Sequence, residues 1–364
     1  MPATGHTVKV NLPLSPYSVR IAAGLIERVG AEVASVSTSR RVGVVTDSTV
    51  GPLYIDRVTS SLRSGGFEPI VATIPAGEAH KTLPTLLPVY DAFLNARFER
   101  STPIIALGGG VVGDMTGFVA ATILRGVPFI QIPMTLLAMV DASVGGKTGV
   151  DHAAGKNLIG AFHQPAIVLI DPDVLKSLPP RELRSGLAEC IKHEIIRDEA
   201  GFAKLEANLD RILQLDITTV ADLIAHNVQI KANVVAADPF ENGERVHLNF
   251  GHTFGHAIET VSNFSYAHGE AIALGMTAAC HAAVKLGMLT QIDKDRITRL
   301  ISRAGLPIAG MKLDVDAVVD AMFFDKKVKD GKLRFVLPGR IGHVVIRDDL
   351  PRGLVAEAIH SLKG

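Results

Sequence analysis

The first 170 residues alternate short apolar runs with segments of helical spacing, and few folds accommodate that alternation. The runs at 41–46, 67–74, 103–107, 128–132 and 167–170 are continuous and bounded by Gly, Pro and Asp. Strands that are buried on both faces read this way. Between them, Leu25, Val29, Val33 and Val36, and then Leu83, Leu86, Leu87, Tyr90 and Leu94, recur at intervals close to the helical period. The pattern predicts a doubly wound, mostly parallel, Rossmann-like α/β domain. Two alternating segments at 8–12 and 17–22 precede it.

The character changes at Asp171-Pro172-Asp173. From there the periodicity is helical, over 183–197, 218–236, 249–261, 269–286 and 292–304, with a two-strand signal at 333–337 and 343–346 before a last helix. A chain of 364 residues has room for two domains, at roughly 150 residues each. We expect an α/β domain over residues 1–172 and a mostly α-helical domain over 173–364, with the active site in the cleft between them.

Composition excludes several function classes. Lys and Arg number 37 and Asp and Glu 37, so no general attraction to a nucleic-acid backbone is expected. The longest uncharged stretch, 126–140, contains Pro128 and Pro133 and falls short of the ~20 residues of a membrane span. The N-terminus lacks the pattern of an export signal, and two widely separated cysteines, Cys190 and Cys280, suit a reducing compartment. A cytoplasmic protein is expected. The 34 glycines exceed the average share of about 7% and ask for a reason.

Some of them form a loop. Gly108, Gly110 and Gly113 satisfy GxGxxG between the run 104–107 and a helical segment that holds Asp114, a context that suits a dinucleotide pyrophosphate. The usual ribose-binding acid about 20 residues further on is missing, and Asp47, closing the run 41–46, is the substitute. A second near-match, Gly145-Gly146-Lys147-Thr148, ends like a phosphate-binding P-loop but has Asp141 where that loop needs its first glycine. Triphosphate hydrolysis is therefore not expected.

The helical half concentrates metal-type ligands. His252 and His256 are four apart and share a helix face, flanked by Gly251 and Gly255; spacing alone nominates them as a ligand pair. Glu189, Lys192 and His193 share another face, and His268 opens an apolar helix. Two or three of these with a carboxylate would form a catalytic divalent site. Two glycines inside one helix cost about 1 kcal/mol each, so a close ligand or backbone is expected beside them. Arg125, Lys147, Lys156, Lys192, Lys231 and Arg245 sit in glycine-rich or apolar settings; gathered in one cleft they would need an anionic substrate.

Taken together the motifs resemble one family, the 3-dehydroquinate synthases. The resemblance is carried by GEAHKT at 77–82, LGGGVVGDMTGFVAATILRGV at 107–127, MTLLAMVDASVGGKTGVDHAAGKNLIGAFHQP at 134–165, GLAECIKHEII at 186–196, LNFGHTFGHAIE at 248–259, HGEAIALGM at 268–276 and DKK at 325–327. Asp151 departs from it, asparagine being expected there. The resemblance implies bound NAD, a divalent metal (zinc, with cobalt as a substitute), and conversion of 3-deoxy-D-arabino-heptulosonate 7-phosphate to 3-dehydroquinate and phosphate in the shikimate route to aromatic amino acids. Transient oxidation, phosphate elimination, re-reduction, ring opening and an intramolecular aldol closure make up that reaction.

Residue by residue, the resemblance implies Glu189, His252 and His268 as metal ligands, which moves His256 from metal to substrate and its proton transfers. NAD contacts would involve Asp47, Glu78, Lys81, Gly109, Gly110, Gly113, Asp114, Thr135, Lys147 and Lys156. Asp141, Lys147, Asn157, Lys192, Lys231, Arg245, Asn249 and a lysine of the DKK segment, Lys326, would contact the substrate, a phosphorylated sugar acid. Arg125 would reach the phosphate across a homodimer interface. The competing readings are another sugar phosphate cyclase, of valiolone or scyllo-inosose type, and a metal-dependent polyol dehydrogenase.

Overall fold

The computed structural model describes residues 5–241, 243–324 and 333–363. It divides into two compact units, Met1–Leu178 with Val220–Pro239, and Pro179–Thr219 with Phe240–Gly364. The first division falls close to the change of periodicity seen in the sequence. The return of Val220–Pro239 to the first unit has no counterpart there, because one helical period runs unbroken across both.

The first unit is built on a 7-stranded sheet. Its strands are β1 (His6–Val10), β2 (Tyr17–Ile21), β3 (Arg41–Asp47), β4 (Glu68–Ile74), β5 (Ile104–Gly108), β6 (Phe129–Pro133) and, after a separate hairpin of β7 (Lys147–His152) and β8 (Gly155–Phe162), β9 (Ile167–Ile170). They lie in the order β1-β2-β9-β6-β5-β3-β4. Only the β1–β2 pair is antiparallel within this sheet, as the alternation of strand and helix predicts. Val42, Val44, Ile104, Ile105, Ile130 and Val168 are each 0% exposed, which is why those runs carry no polar alternation.

Helices α1 (Val29–Ala34), α2 (Gly51–Ser64), α3 (Leu83–Asn95) and α4 (Gly110–Thr122) connect these strands. The chain passes from β3 through α2 to β4 on one side, then through α3 to β5 on the other side of β3. The carboxyl ends of β3 and β5 thus form a topological switch point, where open α/β sheets bind ligands. Asp47 and Gly108 stand at those two ends.

The β7–β8 hairpin is not evident from the sequence, where its start resembles an incomplete P-loop. Its glycines serve backbone proximity: a Cβ at Gly149 would lie 2.5 Å from the Ile159 carbonyl oxygen, and one at Gly160 2.3 Å from that of Thr148. A Cβ on Gly117 of α4 would be 2.4 Å from Thr148 Cγ2, so the hairpin seats on α4 by the same device.

The second unit contains α5 (Pro180–Arg197), α6 (Glu199–Leu213), the start of α7 (Ile217–Ala237), α8 (His252–Val261), α9 (His268–Lys285), α10 (Gln291–Arg303), α11 (Val315–Phe324), the antiparallel hairpin of β10 (Phe335–Arg340) and β11 (His343–Arg347), and α12 (Arg352–His360). Helix α9 is buried almost all round, with Ala271, Ile272, Leu274, Met276, Ala278 and Ala279 each 0% exposed, as a central helix must be. Helix α8 starts later than its periodicity predicts, since residues 244–249 form a 3-10 turn and Gly251 is a left-handed cap with φ 78°. Only Gly255 lies inside the helix, which corrects the expectation of two helical glycines.

The reason for both glycines is the approach of α9. A Cβ at Gly255 would meet the Ala271 carbonyl oxygen at 3.0 Å, and one at Gly275 would lie 2.0 Å from that of Gly251. Gly269 does the same toward α5, where a Cβ would come within 2.3 Å of Ser185 Cα. Among the described residues no helix is long and apolar enough to cross a membrane.

Candidate active site

In the second unit, three elements converge on Glu189. The residue lies mid-way along α5 at 0% exposure, one turn from Lys192, with which it forms a buried ion pair. His252, the first residue of α8, brings Nε2 to 3.6 Å from Glu189 Oε1, and His268, the first residue of α9, brings Nε2 to 3.3 Å from the same oxygen. The glycine contacts of α9 with α8 and α5 hold these three helix positions together.

The donor set fits a metal ion. Tetrahedral ligands about zinc, at roughly 2.0–2.2 Å from it, stand about 3.4 Å from one another, close to the two spacings found here. His252 Nδ1 is 3.1 Å from the Phe250 carbonyl oxygen, which can only accept, so Nδ1 carries the proton and Nε2 keeps its lone pair. Burial, aided by the Lys192 ammonium, pushes His252 down to about 3. Burial opposes charge on His268 as well, yet the Glu189 and Glu259 carboxylates outweigh it and hold His268 up to about 10. The same surroundings thus favour the neutral form of His252 and the charged form of His268.

His256, one turn along α8, stacks edge-on against His252 with ring centroids 5.1 Å apart. Its nitrogen groups with Glu259 and His268 rather than with Glu189. The spacing-based pair His252 and His256 therefore shares a face but not a donor set, because the carboxylate comes from α5. Arg245 (3% exposed) and Asn249 lie on the 3-10 turn before α8, and Asn249 Nδ2 donates to Glu241 Oε1 at 3.2 Å.

The first unit gathers a second set of residues near the switch point. Lys81 Nζ donates to Asp114 Oδ2 and to Asn157 Oδ1, both at 2.6 Å, joining the β4–α3 loop, α4 and β8. Burial pushes the Asp114 carboxyl up, against the pull of Lys81; Lys81 is raised despite its own burial because Asp114, Glu78 and Asp151 surround it. Asn157 has φ 54° and is held there by its N–H, which donates to Asp151 Oδ1 at 2.7 Å. The departure at Asp151 thus supports a neighbour. Lys156 pairs with Glu78 at 3.2 Å.

Asp47 closes β3 and accepts from the N–H groups of Thr49 and Val50, both at 2.8 Å. Gly109 and Gly110 begin α4, and a Cβ on Gly109 would touch Thr135 Cγ2 at 3.3 Å, so Thr135 borders the glycine loop. A Cβ at Gly113 would lie 3.0 Å from Gln131 Oε1. Asp141 stands in a π-helical turn, residues 138–142, and takes Lys231 Nζ at 2.7 Å on Oδ1 and 2.5 Å on its carbonyl. Lys147 is exposed at the start of β7.

Arg125 lies at the other end of α4. Leu124, Arg125 and Gly126 have φ of 51°, 66° and 112°, a left-handed run that non-glycine residues adopt at a cost, and it leaves Arg125 exposed. Lys326 and the rest of 325–327 lie outside the described residues.

Glu259 is not among the site residues expected from the sequence. It lies seven residues after His252, on the same face of α8, and that spacing was the signal available for it.

Comparison with known proteins identifies the family. The chain matches the family described as 3-dehydroquinate synthase N-terminal over residues 71–185 and 3-dehydroquinate synthase C-terminal over residues 186–328. A 3-dehydroquinate synthase of Nostoc punctiforme is 46% identical over 98% of this chain and 99% of its own. One of a Synechococcus strain is 49% identical over 99% and 98%. Among solved structures, 2-epi-5-epi-valiolone synthase from Streptomyces hygroscopicus, with NAD+ and Zn2+ bound, superposes with a TM-score of 0.89 at 29% identity, covering 97% of this chain and 98% of that one. With both family segments matched and relatives near half identity along its whole length, the chain belongs to the 3-dehydroquinate synthase family.

Proposed function

We propose that this protein converts 3-deoxy-D-arabino-heptulosonate 7-phosphate to 3-dehydroquinate and phosphate. The observation that carries the reading is the Glu189, His252 and His268 donor set, in a chain that matches 3-dehydroquinate synthases end to end. Bound NAD supplies a reversible hydride acceptor and a bound divalent metal, zinc or cobalt, a Lewis acid. The dinucleotide would be held at the switch point by Asp47, the glycine loop from Gly109 to Gly113, Thr135 and the Glu78, Lys81, Asp114 and Lys156 cluster. Glu189, His252 and His268 would hold the metal.

The remaining residues bind and orient substrate. Lys147, Asn157, Lys192, Lys231, Arg245, Asn249 and Lys326 offer cations and amides to its carboxylate, phosphate and hydroxyls, while Asp141 holds Lys231 in one position. His256, adjacent to both ligand imidazoles, is suited to move protons at its ring nitrogens. Cations around the departing phosphate stabilise the charge that develops on it, and the phosphate can itself take the proton.

We also propose a homodimer in which Arg125 serves the partner's substrate phosphate. Support comes from the strained, exposed presentation of Arg125 and from apolar side chains exposed on two elements that each pack on α4. These are Leu87 (61%) and Leu94 (49%) of α3 and Leu158 (55%) and Phe162 (49%) of β8. A cytoplasmic setting is supported by two buried cysteines that remain free thiols.

The decisive experiment incubates the protein with the heptulosonate phosphate, catalytic NAD and zinc. Stoichiometric phosphate release without accumulation of NADH is expected. Release only from a different sugar phosphate would favour another cyclase, and net NADH from a simple polyol would favour a dehydrogenase.

A further inference from the structure

Glu259 is buried, 7% exposed, and among the described residues the only side chain that its carboxylate bonds is His268, whose Nδ1 lies 3.1 Å from Oε1. A carboxylate in such a place is costly unless its charge is used. The chain anchors it firmly: the Glu259 carbonyl accepts from the Ser262 hydroxyl at 3.0 Å and from the Phe264 N–H at 2.8 Å, closing the end of α8. The two ends of one short helix therefore contribute to the same centre, His252 at its first turn and Glu259 near its last.

The two ligand imidazoles are treated alike. Each has Nδ1 against an oxygen of the protein and Nε2 toward Glu189 Oε1. For His252 the oxygen is the fixed backbone carbonyl of Phe250, two residues before it. His268 opens α9 and follows a loop, and its Nδ1 faces the Glu259 side chain instead of a backbone carbonyl.

Resting on the metal site proposed above, we infer that Glu259 is the positioning residue of that site. By accepting the Nδ1–H of His268 it fixes the tautomer, turns Nε2 toward the metal position and raises the basicity of the ligand. Outer partners of this kind typically govern metal affinity by 10–100-fold.

The test is metal binding, apart from turnover. Zinc affinity is measured by competition with a chromophoric chelator on parent, Glu259→Leu, Glu259→Gln and Glu189→Gln proteins, and the visible absorption of each cobalt form is recorded. NAD affinity and thermal unfolding report whether each variant is folded. Glu259→Leu should lose about 10–100-fold in zinc affinity and alter the cobalt spectrum while NAD binding is kept. Glu259→Gln, which still presents an acceptor but no charge, should lose less, a graded rescue that a merely structural role would not give. Parent-like zinc affinity and cobalt spectra in both Glu259 variants would overturn the assignment. If Glu189→Gln then abolishes zinc binding, the metal site stands and only the role of Glu259 fails; if the parent binds no zinc, both fail.

Discussion

Gly275 and Gly251 meet so closely that a methyl group on the first would lie 2.0 Å from the carbonyl oxygen of the second. That contact sets the distance between α8 and α9, and with it the spacing of His252 and His268. The obstacle is backbone, which cannot rotate away. Gly275→Ala should lower stability by about 1–3 kcal/mol and also weaken zinc binding, with NAD affinity retained. Calorimetry and chelator competition on the same sample check this; loss of stability without loss of zinc affinity would separate the contact from the site.

Metal-free protein should be pH-sensitive in a definite direction. The folded pKa of His268, about 10, is raised above the unfolded value near 6.5. The stability it contributes is thus fully present below about pH 6.5 and is lost as pH rises through about 10. Denaturant titrations of metal-free protein from pH 6 to pH 10 should show that decline. At pH 8, zinc should displace about one proton as Nε2 becomes a ligand, read by calorimetry in buffers of different ionisation heat; no buffer dependence would refute the protonated state.

Lys81 and Asp114 should act as a unit in dinucleotide binding. Replacing Asp114 by Asn or Lys81 by Met removes a buried charge-assisted bond of about 1.5–3 kcal/mol, so NAD affinity should fall about 10–100-fold while zinc affinity stays at the parent level. In a double-mutant cycle the two losses should overlap rather than add. Full additivity in fluorescence titrations of NADH would mean that the residues act separately.

Complementation tests Arg125. Homodimers of Arg125→Ala and of Lys147→Ala should each be nearly inactive. Mixed and re-equilibrated chains should recover part of the parent rate, since a hybrid contains one site with both residues intact. Leu87→Glu with Phe162→Glu should shift the protein to monomer in sedimentation velocity. Failure of mixing to restore any activity would return Arg125 to its own subunit.

How far the residues announced this arrangement depends on whether chemistry or packing chose them. The strands β3, β5, β6 and β9 were readable because burial on both faces leaves an unbroken apolar run. Residues 147–162 were not, because a hairpin whose glycines admit another backbone looks, in one dimension, like a loop that admits a phosphate. At the proposed metal site the period of α8 exposed His252 and His256, but Glu189 and His268 arrive by tertiary contact through Gly251, Gly269 and Gly275, which no spacing records; the residues offered them as candidates, and the resemblance alone chose them over His256. The cations gave a similar lesson. Lys81, Lys156, Lys192 and Lys231 each have a carboxylate beside them, a pairing that their positions in the sequence do not record.

The π-helical turn that holds Asp141 carries a consequence for length. Such a turn accommodates one more residue than an α-helical turn, and each residue advances an α-helix by about 100°. Deleting a single residue between Ala138 and Ala142 would let the segment relax to the commoner geometry and swing the Asp141 carboxylate away from Lys231. Substitutions at this turn act on one side chain at a time; a change in its length would re-aim the whole ion pair, which makes chain length here as binding a requirement as the identity of Asp141.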